Sequence, residues 1–160
     1  MSVPPGARLD VGDGASNVAT GVPVLDHLLA QLAAAGRFDL VLEIAPDEPE
    51  AEVDAAGRAL GEAVASRLAP GAHGFGAVPA DEALAQVVVE ASGRPQVHSN
   101  ADLTGVGGLG SDLAARFLGA LADTAGLTLH VRLLEGEETD HVLEAIFKSL
   151  GAALAAAERS

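Results

Sequence analysis

Displaced by ninety positions, the chain lies over itself. Leu28 meets Leu118, Gly36 meets Gly126, Val41 meets Val131, Glu48 meets Glu138, Leu60 meets Leu150 and Gly61 meets Gly151. Alanine abundance inflates such agreement, yet the paired glycines owe nothing to alanine. A repeat of this length occurring only twice is too long for a solenoid unit. It predicts an α+β fold of internally duplicated halves, each bringing strands and two helices to one packed domain over residues 1–160. The pseudo-repeats fall at approximately 20–70 and 80–160.

The elements follow from hydrophobic spacing. Leu25, Leu28, Leu29 and Leu32 form a helical stripe within 24–35, and Gly36 stands where a C-terminal cap belongs. Phe38 to Ile44 alternates as a strand with one buried face. Pro49 suits the first turn of a helix whose apolar members are Val53, Leu60, Val64 and Leu68. The Gly- and Pro-rich stretch 69–79 reads as a connection between halves. Ala85 to Ala91 reads as a strand, Ser92-Gly93 as a turn, and 96–103 as a strand pairing back on it. Beyond a glycine-rich loop at 105–110 come a helix ending at Gly126, a strand over 127–134 and a long helix over 140–157.

Composition narrows the function. Nine Lys and Arg against 23 Asp and Glu give a net charge of −14, which repels phosphate backbones and anionic lipid heads, so neither nucleic acid nor a membrane is an expected partner. No apolar run is long enough to span a bilayer, and no basic leader precedes an apolar stretch, so a soluble cytoplasmic protein is expected. With no cysteine, thiolate chemistry and cysteine-bound metals are excluded, leaving oxygen and nitrogen groups for any catalysis.

Asp140-His141-x-x-Glu144 opens the last helix, and its spacing places three donors near one face of the first turns. Imidazole with carboxylate suits manganese, iron or zinc. The same acidic residues also answer the helix macrodipole, with His141 then an ordinary surface residue. Ninety residues earlier stand Glu50, Ala51 and Asp54, again with two ligand-type side chains. His27 and His130 are further candidates, although a strand histidine between Leu129 and Val131 reads first as a core residue with one hydrogen-bond partner. Arg94, in the turn Ser92 to Pro95, and Lys148 are scarce cations able to hold an anionic group; alternatively Arg94 is solvated and Lys148 pairs with Glu144.

Several ordered motifs together resemble those of the imidazoleglycerol-phosphate dehydratase family, the manganese-dependent lyases of histidine biosynthesis. They are Thr20-Gly21 followed by Leu25-Asp26-His27, then Gly36-Arg37-Phe38-Asp39-Leu40 and Pro79-Ala80-Asp81-Glu82. Ser92-Gly93-Arg94-Pro95, Leu127 to Arg132 and His141-x-x-Glu144-Ala145-x-Phe147-Lys148 complete the set. The resemblance implies a trimer-based homo-oligomer whose subunits share metal sites. It implies His27, His130, His141 and Glu144 as metal ligands, Glu82 and Glu144 as catalytic carboxylates, and Arg94 and Lys148 as holders of a small phosphorylated ligand.

The carry-over is uneven. The family carries two histidine-histidine-x-x-glutamate motifs, which here read Glu50-Ala51-x-x-Asp54 and Asp140-His141-x-x-Glu144, with Ala35 at a further histidine position. No arginine stands in His73-Gly74-Phe75-Gly76, where the family has one before Pro79. Glu50, Asp54 and Asp140 could serve as oxygen ligands in place of imidazoles, with a changed ion and geometry. Three functions therefore stand as expectations: a dehydratase holding manganese or a similar divalent ion; a non-catalytic relative for assembly or small-molecule binding; or a lyase with a carboxylate-rich metal site and altered substrate.

Overall fold

The computed structural model describes residues 6–101 and 112–160; the expected loop at 105–110 and the end of the strand expected over 96–103 lie outside them. Along the chain run β1 (Gly6–Val11), β2 (Ser16–Ala19), α1 (Pro23–Gly36), β3 (Phe38–Glu43) and α2 (Pro49–Ala65). The second half holds β4 (His73–Ala80), β5 (Ala83–Glu90), β6 (Gln96–Ser99), α3 (Leu113–Ala125), β7 (Thr128–Glu135) and α4 (Thr139–Arg159). One sheet has the order β1-β3-β2 and the other β4-β5-β7-β6.

The duplication is visible in pairing. In each half a central strand (β3 or β7) takes an antiparallel neighbour on one side, β1 or β5, and a parallel one on the other, β2 or β6. β4 is added at the edge of the second sheet. Each sheet turns alternate residues inward: Phe38, Leu40 and Leu42 of β3, and Ala85, Val87 and Val89 of β5, are buried. The helices lie between the sheets, with α1 against α4 and α2 against α3 joining the halves.

These helix pairs approach closely because glycine leaves room. A Cβ on Gly151 of α4 would stand 2.1 Å from the Leu32 carbonyl oxygen of α1. In the other pair, a Cβ on Gly57 would stand 2.8 Å from the Phe117 carbonyl, and one on Gly61 2.7 Å from Thr124 Cβ. Gly61 and Gly151, matched across ninety residues, thus do the same work. Ser149 ties α4 to the sheet: its buried hydroxyl donates to the Ala85 carbonyl at 2.9 Å and accepts from the Val78 N–H at 3.0 Å.

Three expectations are corrected. The stretch 69–79 is mostly strand β4, and its glycines have period two because their side of the strand presses on a helix backbone. A Cβ on Gly74 would lie 2.4 Å from the Ala157 nitrogen, and one on Gly76 2.5 Å from the Ser149 carbonyl. Pro79 is tolerated there since β4 is an edge strand. β6 does not pair back on β5; β7 inserts between them, antiparallel to β5 and parallel to β6. Gly126 caps α3 in the left-handed region at φ 68, as its position suggests, but at the end of α1 Arg37 takes that role at φ 56. Gly36 remains helical, and its lack of a side chain admits the Gly151 carbonyl and the Phe38 ring.

Gly151→Ala is expected to destabilise by about 3 kcal/mol through backbone overpacking, lowering Tm by about 6–12 °C for a chain this size. Gly119→Ala, whose Cβ would meet nothing within 4 Å on α3, is expected to stabilise by up to about 1 kcal/mol through helix propensity. Calorimetry of the two variants checks both signs.

Candidate functional site

α4 begins after Glu138, and because Val142 and Leu143 are buried, Asp140, His141 and Glu144 project from the outer side of its first turns. α1 is held opposite by its buried Leu25, Leu28, Leu29 and Leu32. That packing brings His27 Nε2 to 3.0 Å from Glu144 Oε1. A cleft of about 410 Å³ lies between the two helices, with Pro23, Val24, Leu28 and Leu143 as apolar walls and His27, Asp140 and Glu144 as polar groups.

Asp26, next to His27, has a structural duty. Its Oδ1 accepts the Thr20 N–H at 2.9 Å and the Thr20 hydroxyl at 2.5 Å, while Thr20 Oγ1 accepts the Val22 N–H at 3.1 Å. Thr20 is fully buried. The threonine and aspartate of the motif thus clamp the entry to α1, and the histidine between helices is what remains for chemistry.

His141 meets the two-residue turn between β4 and β5, where Asp81 adopts φ 52. Its Nδ1 pairs with Glu82, and its Nε2 lies 3.2 Å from Asp81 Oδ2. The hydrogen bond to Glu82 is the main cause holding the His141 pKa above the ordinary histidine value, and the same bond holds the Glu82 carboxyl below its ordinary range. With both ring nitrogens facing carboxylates, the charged imidazolium is stabilised relative to that of a free histidine. Lys148, further along α4, donates to the Pro79 carbonyl at 3.4 Å, near the end of β4, rather than pairing with Glu144.

The other candidates stand apart. His130 is exposed rather than in the core, because the β7 residues facing inward are Leu129 and Val131. It stacks on His98, its register partner in β6, with ring centroids 5.0 Å apart. His130 pairs with Val88 of β5, six residues beyond Glu82, a strand distance of about 20 Å. Arg94 lies past the far end of the same strand. The Arg94 carbonyl accepts from Thr128 Oγ1 at 3.0 Å, and the residue lines a cleft of about 400 Å³ with Glu90, Pro70 and Ala125.

At the counterpart of the α1/α4 cleft, Asp54 of α2 meets Arg116 of α3 at 3.3 Å. Glu50 stands one turn earlier on α2. Among the described residues, no group of three His, Asp or Glu side chains is placed to hold one ion. Sequence reasoning gives no role to Asp81, which it names only within a motif, and none to His98 or Arg116. Arg116 leaves a local trace in its spacing of four from Asp112.

A family model for imidazoleglycerol-phosphate dehydratase matches residues 20–154. The chain belongs to the imidazoleglycerol-phosphate dehydratase family. It is 42% identical over 152 residues to the imidazoleglycerol-phosphate dehydratase of Synechococcus sp. (strain RCC307), covering 89% of this chain and 75% of that protein. It is also 42% identical over 164 residues to that of Aromatoleum aromaticum, covering 96% and 84%. Among solved structures, the imidazoleglycerol-phosphate dehydratase of Staphylococcus aureus superposes with a TM-score of 0.81 at 31% identity, over 94% of this chain and 91% of that one. The Pyrococcus furiosus protein gives 0.80 at 28% identity, over 94% and 86%. The family's histidine-biosynthetic setting thus applies to this chain as a homologue. Among the described residues, no helix is long and apolar enough to cross a membrane.

The His141–Glu82 pair has a defined pH window. The raised histidine contributes stability fully below about pH 6.5, lost as pH rises through its folded pKa; the lowered carboxyl contributes fully above about pH 4.5, lost as pH falls through its own. In an NMR titration, His141 is expected to titrate above free histidine, and Glu82→Gln to return it toward the free value. A wild-type His141 titrating below free histidine would contradict the pairing.

Proposed function

We propose that this chain is a dehydratase-family relative that keeps the fold, a trimer-based homo-oligomer and a small-molecule cleft, and no longer turns imidazoleglycerol phosphate over at the family's rate. The observation carrying this reading is the bond from Arg116 to Asp54. The family resemblance implies manganese at both long helices, and the donors at the α2/α3 site do not suit it. Asp54 is already engaged by a guanidinium, and Glu50 and Ala51 supply no imidazole where the family has two. At the α1/α4 cleft His27, Glu144 and Asp140 share a lining without being grouped to hold an ion, and a divalent ion there would meet a carboxylate-rich setting at most.

The chemistry explains why this matters. Dehydration must remove a weakly acidic proton and expel hydroxide, and both steps need concentrated positive charge. His141 is already committed to two carboxylates, and the chain contains neither cysteine nor tyrosine. Glu82 could move a proton, yet alone it stabilises no developing negative charge. Arg94 and Lys148 remain as cations for a phosphorylated ligand, with Arg94 at the opposite end of β5 from Glu82 within one chain. Gathering them would require neighbouring subunits, which the proposed assembly supplies. A second reading, a lyase using a carboxylate-rich ion site, draws on two separate imidazole–carboxylate contacts along α4, His141 with Asp81 and Glu82 and His27 with Glu144.

Purified protein is expected to bind imidazoleglycerol phosphate weakly and to turn it over at least about 10²-fold slower than an intact relative, with little response to manganese. Sedimentation is expected to show a multiple of three subunits. Normal growth of a dehydratase-deficient histidine auxotroph carrying this chain would overturn the loss of turnover, manganese-stimulated turnover of another substrate would favour the second reading, and a monomer throughout the micromolar range would remove the assembly.

A further inference from the structure

The two helix pairs related by the duplication have come to hold their carboxylates differently. In the α1/α4 pair, Glu144 meets the imidazole of His27. Ninety residues after His27 stands Phe117, fully buried and packed against Phe147 with ring centroids 5.3 Å apart. The neighbouring side chain, Arg116, faces α2 instead. Its Nε donates to Asp112 Oδ2 at 2.7 Å, and its Nη1 to Asp54 Oδ2 at 3.3 Å. Asp112 stands at the start of α3 and gives its carboxylate to the guanidinium rather than to the helix N–H groups.

We infer that the Arg116 guanidinium is the resident cation of the α2/α3 site, bridging Asp54 and Asp112 and offsetting their mutual repulsion so that this half is held together without a divalent ion. The inference deepens the proposed function and rests on its reading that α2/α3 lacks imidazole donors. Three further observations bear on it. The guanidinium has a carboxylate on either side, Asp112 on its own helix and Asp54 on α2. The lining of the α2/α3 cleft, about 380 Å³, sets two cations, Arg58 and Arg116, against two carboxylates, Asp54 and Asp123, so positive charge is already resident where an ion would have to enter. Finally, Gly57 and Gly61 let α2 and α3 approach closely, which carboxylates on both with no cation between them would oppose. An exposed ion pair alone contributes little; what Arg116 adds is the removal of like-charge repulsion across a tight helix contact. Arginine suits the task because it stays charged at every physiological pH and its planar fork reaches carboxylates on two elements at once.

The test uses the full chain and manganese, read by electron paramagnetic resonance, with Tm alongside. Wild type and Asp54→Asn are expected to bind the same amount of manganese, since Asp54 is already engaged. Arg116→Met is expected to gain an ion bound at least tenfold more tightly than any wild-type site using Asp54, and to lose it again when Asp54→Asn is added. Its Tm should fall without divalent ions and recover in millimolar manganese, whereas wild type and Arg116→Lys should not gain an ion. Loss of wild-type manganese in Asp54→Asn would overturn the inference, as would an Arg116→Met protein with neither a gained ion nor a cation-dependent Tm. Should Arg116→Met not fold, wild type, Asp54→Asn and Arg116→Lys decide: equal manganese supports the inference and unequal manganese overturns it. None of these readouts depends on turnover, so an active enzyme would refute the proposed function and leave this inference to its own result.

Discussion

Where α4 crosses α1, the backbone of Gly151 rests against the Leu32 carbonyl. No other residue fits that contact, and the geometry of the α1/α4 cleft descends from it. Because α1 cannot retreat, His27 is presented to Glu144, and because Gly74 and Gly76 admit α4 as closely from the other side, the β4–β5 turn is carried to His141. Two carboxylate–imidazole pairs on one helix are thus a consequence of helix packing against glycine on two faces. Protein interiors transmit such constraints because they are close-packed and hard to compress.

The same packing, repeated in α2/α3 by Gly57 and Gly61, frames a different electrostatic solution. One half keeps imidazole beside carboxylate; the other places a permanent guanidinium there. In an acidic chain with few cations, committing Arg116 to two aspartates is a sizeable allocation of positive charge. Arg67 is spent similarly, bonding the Leu9 carbonyl at 2.8 Å and Glu158 to join β1, the end of α2 and the end of α4. Structure thereby absorbs cations that a phosphate site would otherwise recruit.

Much of the fold was legible. Apolar spacing placed α1, β3, α2, α3, β7 and α4 within a few residues, since each buries one face and its periodicity records which. β4 was misread because its inward residues are glycines, chosen for absence of bulk, and glycine in a sequence signals a turn as readily as a close approach. β6 was paired to the wrong strand because a short turn at Ser92-Gly93 suggests a hairpin, while the partner that intervenes comes from thirty residues later. His130 was read as core because its neighbours are apolar, yet alternation in a strand exposes every second residue.

By itself, the sequence determined the duplication, the α+β class, the family and the chemical types at the candidate positions, because these are carried by local pattern and motif order. Only the tertiary structure decided which charged groups meet. It joined His141 to both Asp81 and Glu82, gave Asp54 to Arg116, and set His130 on the outside of a sheet about 20 Å along the strands from the Glu82 turn. Such pairings depend on how closely helices and strands approach one another, and that distance is set by glycines whose meaning appears only when the facing backbone is in place.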